Sequence, residues 1–320
     1  MSEVAIKQGG TQPSKPRFFY GWVIVAVAAV KGSFMVGSAA FASSVFLIPM
    51  QAELGWSRTM LFGALSMRGL VAGMLQPFLG PLGDHPWAPR LVVPIGATLL
   101  GLSFMMVKWV EVPWVFYFWY GFVGALGMAL ISNSIMDAVV LKWFLRRRSQ
   151  ALLWVNQGPG TAPMIFPIVL TGLIAAVGWR DAWFWFGVGT IALLVPLSLL
   201  IRTRPEDMGQ LADGEAPADN QGPGTQRRPA FQERSFTRRE ALRTPAFWTL
   251  SVVLALGVFG TPGFQAHWIP YLRDQGFDAG LAATALTTYG LFGISSRFVW
   301  AYLTNRFTIR QVFVAQAFLS

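Results

Sequence analysis

Three cationic side chains, Lys31, Arg68 and Arg297, stand inside long apolar runs, and what surrounds them decides what chemistry they can do. Arg68 lies in GALSMRGLVAG, residues 63–73, where every other side chain is small or apolar. A guanidinium stays charged at any accessible pH and offers a planar fork of donors that suits a carboxylate. A buried ammonium can instead lose its proton. Arg68 follows Thr59 by nine residues and precedes Gly80 by twelve, roughly 14 to 18 Å from either end of its run. That is mid-depth in a bilayer, where a charge facing lipid costs from about 3 to more than 10 kcal/mol. Lys31 lies at similar depth in the first run, while Arg297 is nearer the end of its own. Each must therefore face water, a partner or a ligand. Two readings remain: the cations line a cavity and attract an anion, or they bond helix carbonyls or the acid Asp137 and pin helices together.

Fewer candidates can act beside them. His267 can gate or carry a proton, or can be an interfacial hydrogen-bonding residue. Residues 158–163 read Gly-Pro-Gly-Thr-Ala-Pro near mid-depth of another run. Proline removes a backbone donor, so Gly158, Pro159 and Gly160 predict either an interrupted span with backbone groups facing a cavity or a bend that lets two bodies rock. Asn156 is a polar candidate two residues earlier. Neither histidine, His85 nor His267, belongs to a metal-ligand motif, no glycine-rich phosphate loop follows a strand, and the chain has no cysteine. These patterns argue against an enzyme and imply no cofactor and no metal.

The elements that must hold these residues are membrane helices. Of the 320 residues, 54% are hydrophobic and 12% charged, where a soluble domain approaches a quarter charged. Continuous apolar runs of spanning length occur at 19–47, 59–80, 91–110, 113–141, 149–176, 179–201, 246–272 and 279–303, and a ninth begins near 309. Barrel strands would alternate. The first run is too long for a signal-peptide core and is followed by further spans, so it stays in the mature protein. The formal charge of +10 sorts by side. With the amino terminus in the cytoplasm, most Lys and Arg face inward, and only Arg58, Lys108, Arg180 and Arg273 face outward, as the positive-inside rule requires. That bias accounts for the basic balance with no nucleic-acid partner.

The chain also repeats itself. Ile48-Pro49-Met50-Gln51-Ala52-Glu53-Leu54-Gly55-Trp56 resembles Ile269-Pro270-Tyr271-Leu272-Arg273-Asp274-Gln275-Gly276-Phe277 at an offset of 221 residues. The register holds through the next helix and into Gly80-Pro81-Leu82-Gly83-Asp84, opposite Ala301-Tyr302-Leu303-Thr304-Asn305. The second and eighth helices are thus equivalent and parallel, as in a duplication of two six-helix halves. Tyr289 then takes in the second half the position of Arg68 in the first, and either hydrogen-bonds a ligand or packs. The expected organisation is a tail at 1–18, a six-helix half at 19–203, a cytoplasmic linker at 204–244 and a C-terminally incomplete half at 245–320. Thr237-Arg238-Arg239-Glu240 is a capping-box pattern that predicts a short surface helix before Phe247-Trp248.

The Gly80-x-Leu82-x-Asp84 loop and the six-plus-six repeat resemble the major facilitator superfamily. Trp143-Phe144-Leu145-Arg146-Arg147-Arg148, Gly178-Trp179-Arg180 and Arg204-Pro205-Glu206-Asp207-Met208-Gly209 resemble its monocarboxylate and oxalate/formate transporter branch. The resemblance implies an all-α polytopic membrane protein of the major facilitator fold. It also implies that the loop around Gly80, Asp84 and Arg90 latches the halves on the cytoplasmic side together with Asp137 and Arg148, and that Arg297 contacts substrate. The loop departs from the pattern in carrying a lone arginine, Arg90, after the aspartate. Gly293 replaces the acid that proton-coupled members carry four residues before the arginine, so the resemblance does not extend to proton symport through that pair.

Together these readings predict a secondary transporter of a small organic mono- or dicarboxylate, with Arg68, Arg297 and Lys31 as its positive site and Tyr289, Asn156 and His267 as polar candidates. A proton or an exchanged anion is the expected co-substrate, and the bacterial inner membrane the expected location. The alternatives are an exporter of neutral or drug-like compounds and a membrane sensor or scaffold without flux.

Overall fold

The structure, a computed structural model, describes residues 18–85, 87–214, 238–259, 261–306 and 311. It is built of helices, with no strand among the described residues. Helix α1 runs Gly21–Leu54 and contains a π-helical segment, Gly37–Phe41. Helix α2 is Arg58–Leu79, followed by a 3-10 turn at Gly80–Asp84, and α3 is Ala88–Val107. Helix α4, Pro113–Trp143, holds a second π segment, Tyr117–Val123, and breaks at Ile131 and Ser132. The rod Arg148–Leu199 turns at Gly178, dividing it into α5 (148–177) and α6 (179–199). Helices α7 (Arg238–Leu242), α8 (Pro245–Phe259), α9 (Thr261–Asp274) and α10 (Ala279–Arg306) follow.

Helix α1, α3, α4 and the α5–α6 rod are each long and apolar enough to cross a membrane. Helix α2 has 22 residues, enough to span, but Arg68 and Gln76 dilute its apolar character. The first six expected runs match the helices to within a few residues at most ends, with α1 continuing past 47, through Pro49, to Leu54, whereas the expected run 246–272 holds two helices, α8 and α9. Of the two expectations for Gly158-Pro159-Gly160, an interruption or a bend, the interruption does not occur, and α5 stays helical through Pro159, Pro163 and Pro167. The chain breaks at Ile131–Ser132, inside an expected run, and, between two expected runs, at Gly178, whose φ of 78° and ψ of 164° suit a residue without a Cβ.

Small residues set how closely the helices approach. A Cβ on Gly101 would lie 2.7 Å from the Gly187 carbonyl oxygen, and one on Gly187 2.5 Å from that of Gly101, so α3 and α6 touch backbone to backbone. Around that seam Phe46 stacks on Trp183 at 4.0 Å, and Phe104 packs on Tyr120, Trp183 and Phe186.

The two loops paired by the repeat are built alike. Gly55 (φ 68°) and Gly276 (φ 89°) both take the left-handed conformation that ends a helix. Two residues later, Ser57 accepts a hydrogen bond from the Met60 amide to start α2, and Asp278 accepts from the Gly280 and Leu281 amides to start α10. Between α6 and α8 the described residues form two 3-10 turns, Pro205–Met208 and Ala212–Gly214, and the short surface helix α7. The expected ninth helix and the Thr237 capping box lie outside the described residues.

Candidate functional site

Arg68 is 1% exposed and sits where the two π segments meet. A π turn leaves carbonyl groups free of the regular ladder, and Ser38, in the α1 segment, presents its carbonyl oxygen 2.9 Å from Arg68 Nη2. Tyr120, in the α4 segment, lays its ring under the guanidinium at 4.3 Å, and its hydroxyl lies 2.5 Å from Ser43 Oγ. A cation over an aromatic face is stabilised without surrendering a donor. The other terminal nitrogen, Nη1, is buried and has no hydrogen-bond partner.

Lys31 is 2% exposed and donates to the carbonyl oxygens of Ile131 and Ser132, each at 2.8 Å. Those carbonyls are orphaned where α4 breaks, and a cation is well placed at such a helix end. Asp137, half-buried on the second part of α4, interacts electrostatically with the same ammonium. Lys31 thus pins α1 to the α4 break.

Arg297, half-buried on α10, donates from Nη1 to the Asn156 carbonyl oxygen of α5. Gly160 makes room for this: a Cβ there would lie 2.5 Å from Arg297 Nη1. On the other side of α5, a Cβ on Gly158 would overlap the Ala29 carbonyl of α1, and the Pro159 ring packs against Gly32. The glycine–proline cluster therefore joins α5 to α1 on one side and admits Arg297 on the other. Asn156 contributes its backbone, since its side-chain amide donates to the Leu152 carbonyl.

The remaining candidates are spread out. His267 is exposed on α9 with its ring 4.1 Å from that of Phe62 on α2. Tyr289 packs edge-on against Trp268 at 5.0 Å. Gly80 opens the 3-10 turn after α2, Arg90 is exposed, and Arg148 Nε donates to the Phe144 carbonyl. The side chain of Asp84 lies outside the described residues.

Several contacts have no counterpart in the reading of the sequence. Asp213 receives the backbone amides of Leu145 and Arg146 at 3.0 and 2.7 Å, holding the arginine-rich turn before α5. At the opposite end of the bundle, Glu53 accepts from Trp179 and Arg180, and Arg180 also donates to the carbonyls of Lys108 and Val110 just beyond the end of α3. There too the Arg58 fork closes on Asp274, whose carboxyl these hydrogen bonds hold below the usual carboxylate range. Both sides of that pair are exposed polar residues 216 positions apart, a separation that local pattern does not bridge.

The chain is 21% identical over 290 residues to the oxalate:formate antiporter of Oxalobacter formigenes, covering 91% of this chain and 64% of that protein. It is 25% identical over 268 residues to the probable L-galactonate transporter of Escherichia coli (strain K12), 82% of this chain and 57% of that protein. With monocarboxylate transporter 11 of Homo sapiens it shares 24% over 241 residues, 72% of this chain and 46% of the human protein. The chain thus spans less than two thirds of the length of these relatives. Its apolar helices make it an integral membrane protein, and its resemblance to the monocarboxylate and oxalate/formate branch carries through to these relatives. Residues 31–320 match the Major Facilitator Superfamily, and the chain belongs to that family.

Proposed function

We propose that this chain serves secondary transport of a small organic anion, a mono- or dicarboxylate, by alternating access, with Arg68 as the central anion-binding group. One observation carries the reading: Arg68 is buried with Nη1 unpartnered, while a single carbonyl and an aromatic face hold the rest of its guanidinium. A permanent charge held this way retains a donor for a carboxylate oxygen. Arg297 supplies a second cation across the seam between the halves, with Gly160 clearing its path. Lys31 acts as a structural pin beneath the site. The names of the relatives, an oxalate:formate antiporter and a monocarboxylate transporter among them, support the anion class. The co-substrate is a proton or an exchanged anion. The setting is a bacterial cytoplasmic membrane with the amino terminus inside. Uptake of labelled small carboxylates and of neutral analogues into proteoliposomes tests the reading: carboxylate-selective, saturable flux supports it, and flux of neutral compounds alone contradicts it.

A further inference from the structure

A cavity of about 610 Å³ lies between α1, α5 and α6, and neither Arg68 nor Arg297 lines it. None of the residues that line it carries a formal charge. Phe34, Phe166 and Phe186 form an aromatic wall, with Phe34 edge-on to Phe166 at 5.1 Å. Ser33 and Thr161 pair their hydroxyls at 2.9 Å. Gln157 is the exception to a lining that is otherwise apolar or satisfied: it is 8% exposed, and neither amide atom has a hydrogen-bond partner. A buried amide without partners is destabilising at each end, a penalty that a leucine of nearly the same size would not carry.

We propose that this cavity is a second binding site, separate from the anion path, for a neutral amphiphile with an alkyl body and one carboxamide or protonated carboxyl head. Such a head offers one donor and one acceptor side by side and pairs with the glutamine amide through two hydrogen bonds once the Gln157 side chain turns its buried amide atoms toward the cavity. The absence of charge in the lining excludes an anionic head, since nothing would offset its desolvation. Depth excludes a phospholipid headgroup: Gln157 is nine residues beyond Arg148, the first residue of α5, roughly 13 Å along the helix and near mid-depth. The apolar side chains Ile165 and Val169 at the cavity are half exposed, so the route of entry is the bilayer itself.

The test uses the full chain in lipid nanodiscs and a diazirine-bearing dodecanamide, with unlabelled dodecanamide and dodecane as competitors. Labelling is expected on peptides of α5 and α6 that line the cavity, displaced by dodecanamide and not by dodecane. Gln157→Leu should cut that labelling at least fivefold while leaving melting temperature equal or higher. Gly189→Phe should block it by filling the space, because a Cβ at Gly189 meets no atom within 4 Å. Labelling unchanged in Gln157→Leu, or spread evenly over bilayer-facing peptides, would overturn the proposal. Neither result bears on carboxylate flux, which is measured separately.

Discussion

The guanidinium of Arg58 grips both carboxylate oxygens of Asp274, at 2.6 and 2.7 Å, joining the start of α2 to the end of α9 across 216 residues of chain. Gln51 of α1 steadies the arginine through its Nε at 3.2 Å. A few residues along each helix, the rings of Phe62 and His267 pack at a tilt, 4.1 Å apart. The pair therefore closes one end of the seam between α2 and α9. Exposed pairs are weak singly, but a bidentate fork between halves acts as a latch with a defined geometry.

Breaking this latch should loosen that end. The chain has no cysteine, so Phe62→Cys gives a single thiol beneath the contact. Its reaction with an impermeant reagent from the face bearing Gly55 should rise roughly threefold on adding Asp274→Asn, and similarly in high salt. The sign with pH follows from the depressed Asp274 carboxyl. The interaction is fully present above the ordinary carboxylate value of about 3.9 and is lost only as pH falls below it. Labelling should stay flat from pH 7 to 5 and increase in stronger acid. A rise already complete at pH 5 would contradict the latch.

Gly158 tests the α1–α5 seam. Gly158→Ala drives a methyl into the Ala29 carbonyl and should destabilise the protein by about 1–3 kcal/mol, read as a lower melting temperature. Gly172→Ala, on the same helix and facing open space, should be neutral or slightly stabilising. Equal effects at the two sites would remove the close-approach argument.

Lys31 separates a pin from a ligand. Lys31→Met leaves two buried carbonyls without their donor, at a cost of about 1–3 kcal/mol. Melting temperature should fall while the KM for carboxylate uptake stays within about twofold. A large KM increase at unchanged stability would assign Lys31 to the substrate instead.

Gly160→Ala should act first on Arg297, because the three atoms nearest its new Cβ all belong to the movable guanidinium. Losing a charged hydrogen bond is worth about 1.5–3 kcal/mol, so carboxylate uptake should fall roughly tenfold with little change in melting temperature. Unchanged uptake would take Arg297 out of the transport path.

How much of this was legible in the sequence depends on how far apart the partners are. The repeat could be read because Gly55 and Gly276 need the same left-handed backbone and Ser57 and Asp278 cap the same helix start, so local chemistry recurs at a fixed offset. That Arg68 is buried could be read because a charge inside so long an apolar run has to be sheltered. Its partners could not: no residue type marks a π segment, and Ser38 and Tyr120 reach it from two other helices. The proline cluster of α5 suggested an interruption, yet close packing on Ala29 and Gly32 keeps the helix intact. The break that Lys31 caps falls at Ile131–Ser132, where no proline or glycine announces it.

The most direct measurement of the central claim is uptake of labelled small carboxylates into proteoliposomes by wild type, Arg68→Lys and Arg68→Gln, with melting temperatures recorded for each. Loss of the unpartnered Nη1 donor and its charge should lower uptake by Arg68→Gln at least tenfold, an effect of about 1.5–3 kcal/mol, with Arg68→Lys between the two. Carboxylate uptake by a folded Arg68→Gln protein equal to that of wild type would contradict the account.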